Sequence, residues 1–234
     1  MKKLFAIVFI FFAALSLKAE ETVYFIPGWY SQWVVYKGHI GILETLFPEQ
    51  KIKVCKWSSN RLWKNAKTHA AKFAAEFSEE LLKHPDMEKV TLIGHSLGGE
   101  IVLDLAAVLA EKGRKIDRLI LLGTAGVLDE KDIANCQKVS RKKVINIYCP
   151  DDNMLKLYLH KEKRAPLGYA GLPEKIPHFQ QYRMPVDEND IKIGKLTVIK
   201  AETAEFFRES VAHLAKKYLQ TLADALNGKI SETP

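Results

Sequence analysis

Three cysteines, Cys55, Cys136 and Cys149, are sparse use of that residue in 234, and an odd number of thiols cannot all pair within one chain. The seven histidines show no metal-ligand clustering of the His-Glu-x-x-His kind, so a metal mechanism has no support. No stripe of Lys and Arg interleaves with aromatics, which leaves nucleic-acid binding with little support. No internal repeat, Pro/Ser linker or low-complexity tract marks a boundary, and no apolar stretch after residue 19 is long enough to span a membrane.

The first 19 residues read as a secretory signal peptide. Lys2-Lys3 precede an unbroken apolar run from Leu4 to Leu15, and Ser16-Leu17-Lys18-Ala19 supplies the small-residue end, with cleavage expected after Ala19. The apolar run is well short of the roughly 20 residues a spanning helix needs. No Cys stands at the cleavage point, which argues against lipoprotein processing. Residues 20–234 are then expected as one exported domain, secreted or periplasmic. Lys2, Lys3 and Lys18 contribute to the net charge of +7, and without them the remainder carries +4. That modest excess leaves weak attraction to anionic membrane surfaces open.

The most informative segment is Gly94-His95-Ser96-Leu97-Gly98. Lys89-Val90-Thr91-Leu92-Ile93 before it has the length and β-branched content of a buried strand, and Glu100 to Ala110 after it reads as a helix packed on most of its faces. Strand, sharp turn, helix is the context of a nucleophile elbow. A serine hydroxyl is a weak nucleophile, so it must stand on a tight turn within reach of a base, and Gly94 and Gly98 remove side chains that would collide there. The helix after Ser96 aims its N-terminal N–H groups at the position of a tetrahedral oxyanion, with Leu97 N–H as one donor. Gly-rich strand-to-helix turns also bind phosphates, but no Lys occupies the P-loop position, because Gly99 and Glu100 follow Gly98.

On these residues the chain resembles the α/β-hydrolase superfamily along nearly all of residues 20–234. Thr22-Val23-Tyr24-Phe25-Ile26 followed by Pro27-Gly28-Trp29 is similar to that family's oxyanion turn, which makes the Trp29 N–H the implied second donor. The family often has His-Gly where this chain has Pro-Gly. The superfamily's order of Ser, acid, His then directs attention to Lys143–Cys149, a strand-like run ending in Pro150-Asp151-Asp152. Both aspartates also suit a simple turn cap. The layout resembles a Tyr-Ser-x-x-Asp-x-x-Leu pattern of lipase-like members, which implies Asp152 as the acid.

Three histidines follow the acid. His160 lies in the basic run His160–Arg164 and reads as part of a solvated face. His178 precedes the expected last strand, Phe179–Met184, whereas a triad His follows it. His213 comes after that strand and is the implied base. Residues 202–226 also read as one helix, and a loop position for His213 requires a break near Ser210.

Strands are expected at about 22–26, 51–57, 89–93, 116–122 and 143–149, with helices at about 38–47, 61–84 and 99–112, a short helix before the fifth strand, and a final strand and helix. The alternation implies an α/β fold with a doubly wound, mostly parallel sheet and helices on both faces. The resemblance makes it a reduced α/β-hydrolase fold without a large cap domain, since Val127 to Lys142 is too short to hold one. In that family's sheet order three strands separate those carrying Cys55 and Cys149, beyond disulfide reach.

Two stretches bear on the substrate. Tyr30, Trp33, Val34, Val35 and Tyr36 continue the apolar surface from Trp29, fit for an acyl chain or for plain core. Ile191–Lys200 alternates apolar residues with lysines, as an edge hairpin or an apolar flap. The implied activity is a serine hydrolase cleaving carboxylic esters, with a small-molecule or lipid ester as substrate, no cofactor and no partner protein indicated. An amidase or thioesterase on the same site, and a non-catalytic binding protein that kept the elbow, are the alternatives.

Overall fold

The computed structural model describes residues 20–29, 38–58, 63–186 and 204–233. The expected signal peptide at 1–19, the aromatic stretch 30–36 and the alternating segment 191–200 lie outside the described residues.

Among the described residues six strands, β1 (Thr22–Ile26), β2 (Lys51–Val54), β3 (Val90–His95), β4 (Arg118–Leu122), β5 (Val144–Tyr148) and β6 (Phe179–Arg183), form one sheet in the order β2-β1-β3-β4-β5-β6. Every neighbouring pair is parallel. Helices α1 (Gly38–Leu46), α2 (Trp63–Leu81), α3 (Leu97–Glu111), α4 (Glu130–Val139), α5 (Asn153–Glu162), α6 (Leu167–Ala170) and α7 (Ala204–Leu226) connect or follow the strands.

Strand side chains alternate between two cores, as the period of two requires. Tyr24, Ile26, Leu92, Leu119 and Leu121 face one core, with Ala70, Phe77 and Leu81 of α2 and Ile101, Leu105 and Leu109 of α3. Val23, Phe25, Ile93, Ile120 and Leu122 face the other, with Leu43 of α1 and Tyr218, Leu219 and Leu222 of α7. Apolar side chains on both faces are what a parallel sheet covered on both sides demands. The result is an α/β fold with a doubly wound parallel sheet and helices on both faces, with no large cap domain among the described residues.

The strand positions agree with the sequence pattern, while several boundaries and two helices do not. β2 stops at Val54 instead of continuing to Trp57, and β3 runs on through His95 into the elbow. Helices α5 and α6 were not expected. The charged run at 160–164 masks α5, whose buried residues include Leu155 and Tyr158 and whose start is fixed by the Asp152 side chain. The break near Ser210 that a loop position for His213 requires is absent, because α7 runs unbroken from Ala204 to Leu226, as the reading of residues 202–226 as one helix has it. That stretch contains neither Gly nor Pro, so nothing in it interrupts the helical hydrogen bonds. Cys55, Cys136 and Cys149 are free, buried thiols, and β1, β3 and β4 separate the strands before Cys55 and Cys149.

Candidate active site

In a doubly wound sheet the ligand crevice lies beyond the C-terminal ends of the strands, where the strand order reverses. Here the chain passes from β1 outward to β2 and then back across β1 to β3, so the reversal falls between β1 and β3. Ser96 follows β3, and Pro27-Gly28-Trp29 follows β1. The register pairs Ile26 with Gly94, which carries Gly28 to the level of Ser96 two residues later.

Ser96 has φ 53° and ψ −120°, in the region that disfavours side chains. Such strain costs on the order of 1–3 kcal/mol and persists only where the surroundings enforce it. The enforcing contacts are visible. Ser96 N–H donates to Leu122 O at 2.9 Å, and Ser96 O accepts from Gly99 N at 2.9 Å and Ala125 N at 3.0 Å. A Cβ at Gly94 would meet Gly98 O at 2.5 Å, and one at Gly98 would collide with Ile26 O. The glycines of the motif therefore let β3 turn directly into α3, whose first residue is Leu97.

The turn after β1 lies on the elbow. A Cβ at Gly28 would stand 2.7 Å from Ser96 Cβ and 3.0 Å from His95 O. Buried Trp57, just past β2, donates its indole N–H to Pro27 O at 2.8 Å and so fixes the turn. Trp57 had no recognised role in the sequence, where it read as the end of a strand.

Asp152 is buried beyond β5, two strands from Ser96, a separation of about 10 Å at the usual strand spacing. Its Oδ1 accepts Met154 N–H at 2.9 Å and Leu155 N–H at 3.1 Å, which makes it the N-cap of α5. Its Oδ2 accepts the Tyr218 hydroxyl at 3.0 Å. Burial raises its pKa, while the Leu155 N–H, the Tyr218 hydroxyl and the Met154 N–H pull it down. Asp151 instead turns to the surface and pairs with Arg183 at 3.2 Å.

His95, beside the nucleophile, is buried, and its Nδ1 has no hydrogen-bond partner among the described residues. Burial, then the nearby His39, push its pKa down to about 3, so it stays neutral. His178 stands before β6 at the opposite edge of the sheet, where its Nε2 donates to Ser140 O at 2.8 Å. Five residues of strand separate that edge from the elbow's. His160 is exposed on α5, as expected. His213 lies within α7, and its side chain is outside the described residues. No described histidine side chain is hydrogen-bonded to Ser96 or Asp152.

One helical turn beyond Ser96, Glu100 lines a polar cavity of about 240 Å³ shared with Lys67, Asp104, Tyr158 and Glu162. Lys67 reaches Glu100 at 3.5 Å and Glu162 at 3.4 Å, and Tyr158 donates to Glu100 at 3.1 Å. These contacts tie α2, α3 and α5 together beside the elbow.

Among solved structures the chain is similar to the NocB thioesterase domain from the nocardicin cluster, at 14% identity and TM-score 0.45 over 88% of this chain and 96% of that one. It is also similar to the RedJ thioesterase of Streptomyces coelicolor, at 13% and 0.43 over 85% and 86%. A third is SOBER1 of Arabidopsis thaliana, at 12% and 0.44 over 79% and 100%. No curated protein matches the sequence. Residues 25–180 match the model of the family described as protein of unknown function (DUF726), and the chain belongs to that family.

Proposed function

We propose that this protein is an exported serine hydrolase that cleaves carboxylic esters. The observation that carries the reading is the backbone of Ser96, held at φ 53° between β3 and α3 with Gly28 against its Cβ. Strain of this kind at a half-buried hydroxyl is characteristic of sites where geometry serves reaction rather than stability. In the proposed reaction Ser96 Oγ attacks the ester carbonyl carbon and His213 takes its proton. Leu97 and Trp29 N–H groups hold the oxyanion. The His213 proton passes to the departing alcohol, and water, deprotonated by the same imidazole, releases the acid. Asp152 orients and charge-stabilises that imidazole. Residues 1–19 are the proposed signal peptide, with export to the periplasm or the medium, and residues 20–234 the hydrolase domain. A small-molecule or lipid ester is the proposed substrate, and the same chemistry serves a thioester or amide carbonyl.

A non-catalytic binding protein is the second reading, favoured by one observation: α7 runs unbroken through His213. A fluorophosphonate probe and a panel of nitrophenyl esters separate the two. Labelling at Ser96, with labelling and turnover lost in Ser96→Ala, is the expected result. A correctly folded chain that takes no label supports the binding reading.

A further inference from the structure

Tyr218 is fully buried in α7 and touches both halves of the candidate site. Its hydroxyl donates to Asp152 Oδ2 at 3.0 Å. Its ring lies against the His95 imidazole, with centroids 5.5 Å apart at 55°. The end of the ring fills the notch at Gly123, φ 50°, where a Cβ would come 2.5 Å from Tyr218 Cζ. A left-handed glycine at the end of β4 is thus matched in shape to a tyrosine on a distant helix.

The buried positions of α7 around it are Ala215, Leu219, Leu222 and Ala225, together with Thr221, whose hydroxyl donates to Lys217 O at 3.0 Å. A buried hydroxyl without a partner is costly. Asp152 is the partner that accounts for it. Asp152 in turn has one oxygen occupied by two helix N–H groups, so the Tyr218 hydroxyl is the bond that fixes the other. A carboxylate held at both oxygens cannot rotate.

We infer that Tyr218 is a positioning residue: its hydroxyl holds the Asp152 carboxylate in one orientation and favours its ionised form for the base of the proposed hydrolase. The inference rests on that functional reading. The titratable groups around Asp152 leave this hydroxyl a clear effect. Burial pushes Tyr218 itself well above the usual phenol range, so it stays a donor. Burial likewise takes the Cys149 thiol, at the end of β5, up to about 12, and His95, behind the ring, down to about 3, so both are neutral. Asp151 is paired with Arg183 at the surface.

The test uses the full chain and the pH dependence of fluorophosphonate labelling at Ser96. Tyr218→Phe keeps the ring in the Gly123 notch and is expected to fold. It should label at least about tenfold more slowly at neutral pH, with the acid limb of the profile moved up by about one pH unit, because a donor to the charged form is gone. A second measurement needs no activity. The ¹³C carboxyl titration of Asp152, identified by its loss in Asp152→Asn, should move up by a similar amount in Tyr218→Phe. A labelled wild type with the profile and the Asp152 titration unchanged in Tyr218→Phe overturns this inference alone. A wild type that takes no label overturns the hydrolase reading and this inference with it.

Discussion

Gly28 abuts Ser96 with no room for a side chain between them, since a Cβ on the glycine would stand 2.7 Å from the serine Cβ. The closeness follows from the parallel register of β1 and β3, which brings the two residues to one level at the sheet edge. Gly28→Ala must therefore push the turn and the elbow apart. A displacement of about 1 Å in a catalytic group can cost about 10²-fold in rate, and a loss of that size in ester turnover is expected. Gly41, in α1, has nothing within 4 Å of its missing Cβ, so Gly41→Ala is expected to leave turnover alone and stabilise by about 0.5–1 kcal/mol. Wild-type turnover in Gly28→Ala rules out a role for this turn in the reaction.

Trp57 supplies the second support for the same turn. Trp57→Phe keeps most of the buried surface and deletes the 2.8 Å bond to Pro27 O. A buried carbonyl left without its donor costs about 1–3 kcal/mol, to be read from denaturant unfolding. Because the bond holds the turn rather than substrate, kcat should fall more than KM. A loss confined to KM would assign Trp57 to substrate binding instead.

The elements that position the site were legible where chemistry and pattern coincide. Gly94, Ser96 and Gly98 lie between a β-branched strand and an apolar helix, and both neighbours formed as expected. Asp152 over Asp151 followed from a resemblance, and burial now distinguishes them: one carboxylate caps α5 inside, the other pairs outside. Trp57 and Tyr218 were not legible, because each reads as an ordinary apolar position. Their polar atoms acquire meaning only when β2 and α7 are brought against β1 and β5, which are contacts between distant segments. Helix α5 was hidden for a related reason. Its start depends on a side-chain cap, and its charged residues obscure the few that pack.

The two aspartates should separate cleanly on substitution. Asp152→Asn removes the charge that would stabilise an imidazolium, and a loss of about 10⁴-fold in turnover is the expected scale for a triad acid. Asp151→Asn breaks an exposed pair with Arg183, worth at most about 1 kcal/mol, and should leave turnover near wild type. Stability carries a pH signature as well. Burial raises the pKa of Asp152, so the folded chain holds that proton more tightly than the unfolded chain does. Its contribution is therefore present at low pH and lost as the pH rises from about 4 through the folded value. The melting temperature of wild type relative to Asp152→Asn should fall across that window, and a rise would contradict the burial argument.

Two histidines decide which group takes the proton from Ser96. His178 is engaged with Ser140 O at the far edge of the sheet, at φ 72°, so His178→Asn is expected to lower the melting temperature modestly and leave Ser96 labelling intact. His213→Asn should abolish turnover and slow labelling by about 10³-fold or more, because a serine without its base reverts to a weak nucleophile. An unbroken α7 makes this demanding, since an imidazole within a helix must meet a serine at the sheet edge. Labelling that survives in His213→Asn and disappears in His178→Asn would reverse the assignment. Survival in both, with label still on Ser96, would mean that the proton leaves Ser96 by a group other than either histidine, and the Ser-His-Asp mechanism would fall.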